Sequence, residues 1–202
     1  MRTHGWGGDV PVDDDEAVAR ILAATRTCID RNPTSTGVAD VARELQVTRQ
    51  TVYRYFKGTE ELLEATAMDA VGDLLTRVSA GLAGITEPDA AVVRGLVLVM
   101  AELSAQSYVG LVLNGDHLTM TRLGGVTSDI AYGFARSIVG RMDVDWAARG
   151  FTDADVDVVI EILLRTLQSL IVDHGRGRST EELGRFLDRW TGASIRAMGD
   201  TA

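Results

Sequence analysis

Apolar residues recur along this chain at steps of three and four, the spacing that gathers one face of an α-helix. No run alternates in the two-residue rhythm of a strand. Val18, Ile21, Leu22, Thr25, Cys28 and Ile29 form the first stripe and predict a helix over 14–31. Asp13 to Glu16 put carboxylates at its N-terminus, where the helix macrodipole favours them. Asn32-Pro33 ends it, because the residue before proline is driven out of the α region. Two short helices are expected next. One covers 37–45 with Val38, Val41, Ala42 and Leu45 inward; the other covers 49–56 and is capped by Thr48, with a tight turn at Gln46-Val47 between them. A fourth helix starts near Thr59, with Leu62, Leu63, Thr66, Ala70, Leu74 and Val78 on its buried side. Beyond the break at Thr86-Glu87-Pro88, helices are predicted near 89–105, 107–114, 119–141, 152–174 and 180–198. Thr152 caps the eighth, and Ser179 to Glu182 form the capping box of the ninth.

The pattern therefore predicts an all-α chain of about nine helices. Residues 14–60 form a three-helix N-terminal unit joined to a larger helical domain at 61–202, and the Gly-rich, acidic-ended stretch 1–13 reads as a mobile arm. With 202 residues, 46% hydrophobic and 24% charged, the chain can bury one core or two that share a helix. The single cysteine, Cys28, lies on an apolar helix position and reads as a buried, inert thiol. The first residues lack the apolar stretch of a secretion signal. The most apolar run, 96–113, carries Glu102 and Gln106 and reads as a core helix rather than a membrane span, so a cytoplasmic protein without a membrane partner is expected.

Charge first argues against nucleic acid, since the chain carries a net −9. Its distribution changes that picture. Between Thr36 and Lys57, four basic residues stand against two acidic ones, whereas 61–202 holds 12 basic and 20 acidic. The two short helices have the layout of a helix-turn-helix, whose second helix presents a polar face to the major groove. At about 100° per residue, Val52 and Phe56 fall on one side and Gln50, Tyr53, Arg54 and Lys57 on the other, with Arg49 on the flank. Arginine can bond guanine bidentately, glutamine can pair with adenine, and Thr51 could touch a thymine methyl. Threonine, tyrosine and lysine suit phosphates. A lone basic helix is more often a solvated face. A very short helix carrying two aromatics and preceded by a packed partner favours DNA.

The run TGVADVARELQVTRQTVYRYFKGTEELL resembles the N-terminal signature of the TetR family of one-component bacterial regulators. The resemblance rests on Val41-Ala42, Val47-Thr48, Thr51-Val52-Tyr53, Tyr55-Phe56 and Glu60-Glu61-Leu62, about a quarter of the chain. It implies a homodimer of nine-helix subunits reading a near-palindromic double-stranded operator, with a small-molecule effector that lowers DNA affinity; repression is the family's usual mode. By position it implies DNA contacts from Thr48, Arg49, Gln50, Thr51, Tyr53 and Tyr55, with Arg54 and Lys57 beside them. Three positions depart from the pattern. Gly37 stands where Thr or Ser often opens the second helix, leaving Thr36 as the substitute; Gln46 stands at a turn position usually held by glycine; and Thr59 replaces a frequent lysine.

In the larger domain, Val156, Val159, Ile160, Leu163, Leu167, Leu170 and Ile171 mark one wide apolar face. Leu183, Phe186, Leu187, Trp190 and Ser194 mark another. Paired with the same faces of a second subunit, they would form a four-helix dimer interface in which Val156, Ile160, Leu163, Leu167, Leu170, Phe186, Leu187 and Trp190 take part; one of the faces must also close the monomer core. Met100, Glu102, Leu103, Tyr108, Leu111, His117, Met120, Tyr132 and Phe134 are candidates for an effector pocket, though each also reads as ordinary core. Glu102 stands out, since a carboxylate in an apolar run needs a partner, a wet cavity or solvent. No nucleophile elbow, phosphate loop or metal-ligand spacing is present, and His4, His117 and His174 are scattered, so neither an enzyme nor a cofactor or metal is expected. A helical protein-interaction module without DNA binding is the alternative that the overall acidity keeps open. The effector, the operator sequence and the regulated genes leave no mark in the chain.

Overall fold

The computed structural model describes residues 6, 9–32, 35–105, 128–172 and 177–199. Among them the chain is helical throughout its regular structure. The elements are α1 (Asp14–Arg31), α2 (Val38–Glu44), α3 (Arg49–Tyr53), α4 (Thr59–Leu82), α5 (Pro88–Ala105), α6 (Asp129–Val139) and α7 (Asp153–Val172). The last helix, α8, starts as Thr180–Leu187, widens into a π-helical turn over Asp188–Gly192 and closes with Ala193–Gly199. The expected helix at 107–114 and the start of the one at 119–141 lie outside the described residues.

The helix ends follow from short-range chemistry. The Asp13 carboxylate accepts the Glu16 N–H at 2.8 Å to start α1. Ser179 and Glu182 close a reciprocal capping box at α8, with the Glu182 carboxylate on the Ser179 N–H at 2.8 Å. Thr152 and Asp155 exchange the same kind of bonds ahead of α7.

Two cores share α4. The first gathers Ala17, Ile21, Leu22, Cys28, Val38, Val41, Ala42, Val52, Phe56 and Leu62, and Trp6 packs into it as well. The arm expected over 1–13 thus contains a buried indole, and Arg20 holds the same segment through the Asp9 carboxylate at 2.9 Å. The second core surrounds α5. Ala91, Val92, Leu96, Val97 and Met100 meet Leu74, Val78 and Leu82 of α4, Val139 of α6, Ile160, Leu164, Leu167, Leu170 and Ile171 of α7, and Leu187 and Ile195 of α8. A Cβ at Gly81 would stand 2.7 Å from Leu98 Cδ1, so the bare backbone there lets α4 approach α5 closely. Buried threonines satisfy themselves locally: the hydroxyls of Thr25 and Thr66 each donate to the carbonyl four residues earlier at 2.7 Å. None of the described helices is long and apolar enough to cross a membrane.

Four residues expected at a dimer interface prove to belong to the protomer. Ile160, Leu167, Leu170 and Leu187 lie in the second core, and Val156, Leu163 and Phe186 pack against it partly buried. Trp190 alone of the eight is exposed, at 47%. Helical periodicity marks which face is buried but carries no information on whether the covering surface comes from the same chain. The outward faces of α7 and α8 carry Val158, Val172 and Trp190 instead, with Phe186 tilted against Trp190 at 5.6 Å between ring centroids.

Candidate nucleic-acid interface

The turn between α2 and α3 sets the site. Leu45 ends α2 and Gln46 takes φ 55°, the left-handed conformation that its place demands. Its N–H bonds the Arg43 carbonyl at 3.1 Å and the Val47 N–H bonds the Ala42 carbonyl at 2.9 Å, the double closure of a Schellman end. Thr48 then opens α3, its side-chain oxygen accepting the Thr51 N–H at 3.2 Å. Val52 is fully buried and Phe56 nearly so, and this pair fixes the rotation of the helix.

That rotation turns Gln50, Tyr53, Arg54 and Lys57 outward, as the helical wheel predicts, and Thr48 and the flanking Arg49 are exposed beside them. Tyr53 is 51% exposed although it is aromatic. Arg49 and Lys57 form no ion pair among the described residues, whereas Arg54 lies over the Tyr55 ring at 5.4 Å from its centroid. Tyr55 is half-buried, and its hydroxyl donates to Asp14 at 3.1 Å. Burial first, and then this bond, push the phenol above its ordinary range, so Tyr55 stays a donor at neutral pH.

Two expected contacts are turned inward. Thr51 is only 7% exposed and its hydroxyl meets that of Thr48 at 2.9 Å, so it does not offer a methyl to a base. Thr36 is 9% exposed and its hydroxyl donates to the Asn32 carbonyl at 2.9 Å, so it does not replace the side chain missing at Gly37. Thr59 instead supplies an acceptor at the start of α2. Its hydroxyl oxygen accepts the Val38 N–H at 3.3 Å, across 21 residues, while the Asp40 carboxylate takes the Gly37 N–H at 3.2 Å. A Cβ on Gly37 would stand 3.3 Å from the Thr59 oxygen, so the two departures from the sequence pattern accommodate each other. Nothing local in the sequence signals this cap, or the Asp14 contact, because each joins residues far apart in the chain. Cys28 is buried, and its thiol is pushed above its ordinary range by burial and then by Glu44 and Asp40, as an inert thiol should be.

Among the described residues, the proposed effector candidates are not gathered in one place. A groove of about 530 Å³ opens between α5, α7 and the start of α8, lined by Val97, Met100, Ser104, Leu170, Arg178 and Leu183 among others. Among the described candidates, Met100 is the one found in it. Glu102 pairs with Arg77 of α4 at 2.8 Å, which accounts for a carboxylate within an apolar run. Leu103 packs against the second core, Tyr132 bonds Asp157 across α6 and α7, and Phe134 is half-buried. Tyr108, Leu111, His117 and Met120 lie outside the described residues. No described cluster of His, Cys, Asp or Glu is placed to hold a metal ion.

Comparison with known proteins agrees with this geometry. Residues 21–66 match the family model of bacterial regulatory proteins, tetR family, a span running from the middle of α1 into α4. Over 70 residues the chain is 36% identical to the HTH-type transcriptional repressor Rv3405c of Mycobacterium tuberculosis, a match covering 34% of this chain and 37% of that protein. The chain thus spans little more than a third of the curated relative's length. The fold extends further. A TetR-family protein from Mesorhizobium loti superposes with TM-score 0.63 at 16% identity, covering 95% of this chain and 98% of the other. A TetR/AcrR-family regulator from Thermobifida fusca gives 0.60 at 18% identity, covering 90% and 99%. Residues 21–66 thus carry the helix-turn-helix segment of bacterial regulatory proteins, tetR family, and the all-helical fold of the chain is similar to that of solved regulators of that family.

Proposed function

We propose that this protein is a cytoplasmic, homodimeric transcriptional regulator that represses by binding a near-palindromic operator and lets go when a small molecule occupies its larger domain. The observation that carries the reading is the outward set Arg49, Gln50 and Tyr53 on a helix anchored by buried Val52 and Phe56. An amide and a guanidinium in neighbouring positions can each bond a base edge bidentately, at about 1–3 kcal/mol of discrimination per pair. Thr48, Lys57 and the tyrosine hydroxyls hold the register on the phosphates.

Two copies double the number of such contacts, and the exposed Trp190 and half-buried Phe186 on α8, with Val158 and Val172 on α7, offer the apolar surface for pairing. The groove between α5, α7 and α8 is the place for an effector. Its walls are apolar at Val97, Met100, Leu170 and Leu183, and Arg178 and Ser104 supply polarity at the rim.

The test is a gel shift with the DNA flanking the protein's own gene, repeated across salt concentrations. Sequence-specific retention that weakens steeply with salt is expected. Arg49→Ala and Tyr53→Phe should both weaken it while leaving helix content unchanged. Absence of retention even at low salt would favour a protein-interaction module, and full operator affinity in both variants would move the recognition surface elsewhere.

A further inference from the structure

The recognition helix does not meet DNA with all of its donors free. Arg54 Nη2 lies 3.4 Å from Asp14 Oδ1, and the Tyr55 hydroxyl donates to that same oxygen at 3.1 Å. Asp14 opens α1 and stands 40 residues away in sequence, yet its carboxylate sits beside the end of α3. Two donors of the DNA face thus converge on one anionic oxygen, the arrangement that a backbone phosphate oxygen would otherwise take.

The backbone that carries the carboxylate is fixed. Asp13 caps α1 through the Glu16 N–H, and the Glu16 carboxylate grips the Val12 N–H at 2.6 Å and the Arg20 guanidinium at 2.6 Å. Asp14 belongs to this fixed first turn, so its backbone is set while its carboxylate can rotate away from Arg54 and Tyr55. Its side chain is 73% exposed, so an approaching phosphate meets it directly.

We propose that Asp14 sets the DNA affinity of this protein by standing in for a phosphate against Arg54 and Tyr55, so that operator binding must displace it. The inference rests on the DNA-binding reading above. An exposed pair at this distance contributes little to stability, and its effect is felt at the interface instead. Arg54 spends its charge on Asp14, and Asp14 adds one like charge against the DNA backbone. Both act in the same direction and lower affinity. Most of the chain's net −9 resides in 61–202, whereas this one unit lies beside the recognition helix.

The experiment compares the full-length protein with Asp14→Asn and Asp15→Asn on operator duplex, by fluorescence anisotropy over a salt series. Asparagine at 14 keeps an oxygen acceptor for Tyr55 and removes the charge. Asparagine at 15 removes the same charge from the neighbouring, exposed position. Asp14→Asn should bind about fivefold more tightly at low salt, the size of one unit-charge contact in water. Its log–log salt slope should steepen by about one released ion. Asp15→Asn should change both less. Equal gains in the two variants, or no gain in Asp14→Asn, would overturn the proposal while leaving the regulator reading intact. A wild-type protein that retains no DNA at low salt would remove both. A readout without DNA tests the contact itself: the Tyr55 phenol should titrate lower in Asp14→Ala, which removes both the acceptor and the charge, than in the wild type, and an unchanged titration would equally overturn the proposal.

Discussion

Gln46 holds a left-handed φ of 55° that side chains with a Cβ resist, and it does so because the Schellman closure of α2 leaves that position no other conformation. The residue is exposed, so its side chain contributes no burial to offset the strain. Gln46→Gly should therefore raise stability by about 1 kcal/mol, read as an upward shift of the thermal midpoint, despite glycine's larger loss of backbone entropy. A fall in the midpoint would mean that the Gln46 side chain makes a contact stronger than the strain. The resemblance to the TetR signature flags this position, because glycine usually stands there and a residue with a Cβ must either accept the left-handed conformation or reshape the turn. The sequence does not flag Thr36 or Thr51, whose hydroxyl chemistry suits DNA but whose side chains face the protein.

Among the elements, α2 is short and leans on its neighbours. Gly37 gives it no side-chain cap, and the Thr59 hydroxyl at the start of α4 takes over at 3.3 Å. Thr59→Ala should cost about 1 kcal/mol in global stability, the usual size of a lost cap, and Thr59→Ser should restore most of it. Chemical denaturation of the three proteins decides this, and an alanine variant as stable as the wild type would show that water serves the Val38 N–H equally well. Because α4 also carries Leu74, Val78 and Leu82 into the second core, this bond ties the placement of α2 to the helix that both cores share. Arg26 makes a second tie, bridging α1 to Asp69 and Asp73 of α4 at 2.5 and 2.7 Å.

For the whole molecule, the inward and outward sides of α7 and α8 separate two kinds of apolar residue that look alike in the sequence. Leu187 is fully buried in the protomer core, so Leu187→Ala should cost about 2–5 kcal/mol through the cavity it leaves, and the thermal midpoint should fall sharply. Trp190 faces out. On the proposed homodimer, Trp190→Glu should leave helix content intact and shift the protein from dimer to monomer in sedimentation, with operator affinity falling alongside. A Trp190→Glu protein that sediments as a dimer at the same concentration would place the pairing surface on another face.

The order of helices, their caps at Asp13, Thr48 and Ser179, and the inward rotation of Val52 and Phe56 were decided by the sequence, because each depends on residues within a turn or two of one another. The outward set from Arg49 to Lys57 follows from that same rotation. What covers a buried face is not a local property. Whether Ile160 and Leu187 meet their own chain or a second one, whether Glu102 finds Arg77, and whether Thr59 reaches Val38 depend on contacts between distant segments. The Asp14 carboxylate against Arg54 and Tyr55 is of this second kind. Periodicity gives each helix a wet and a dry side, but only the packed chain brings the first turn of α1 alongside the end of α3.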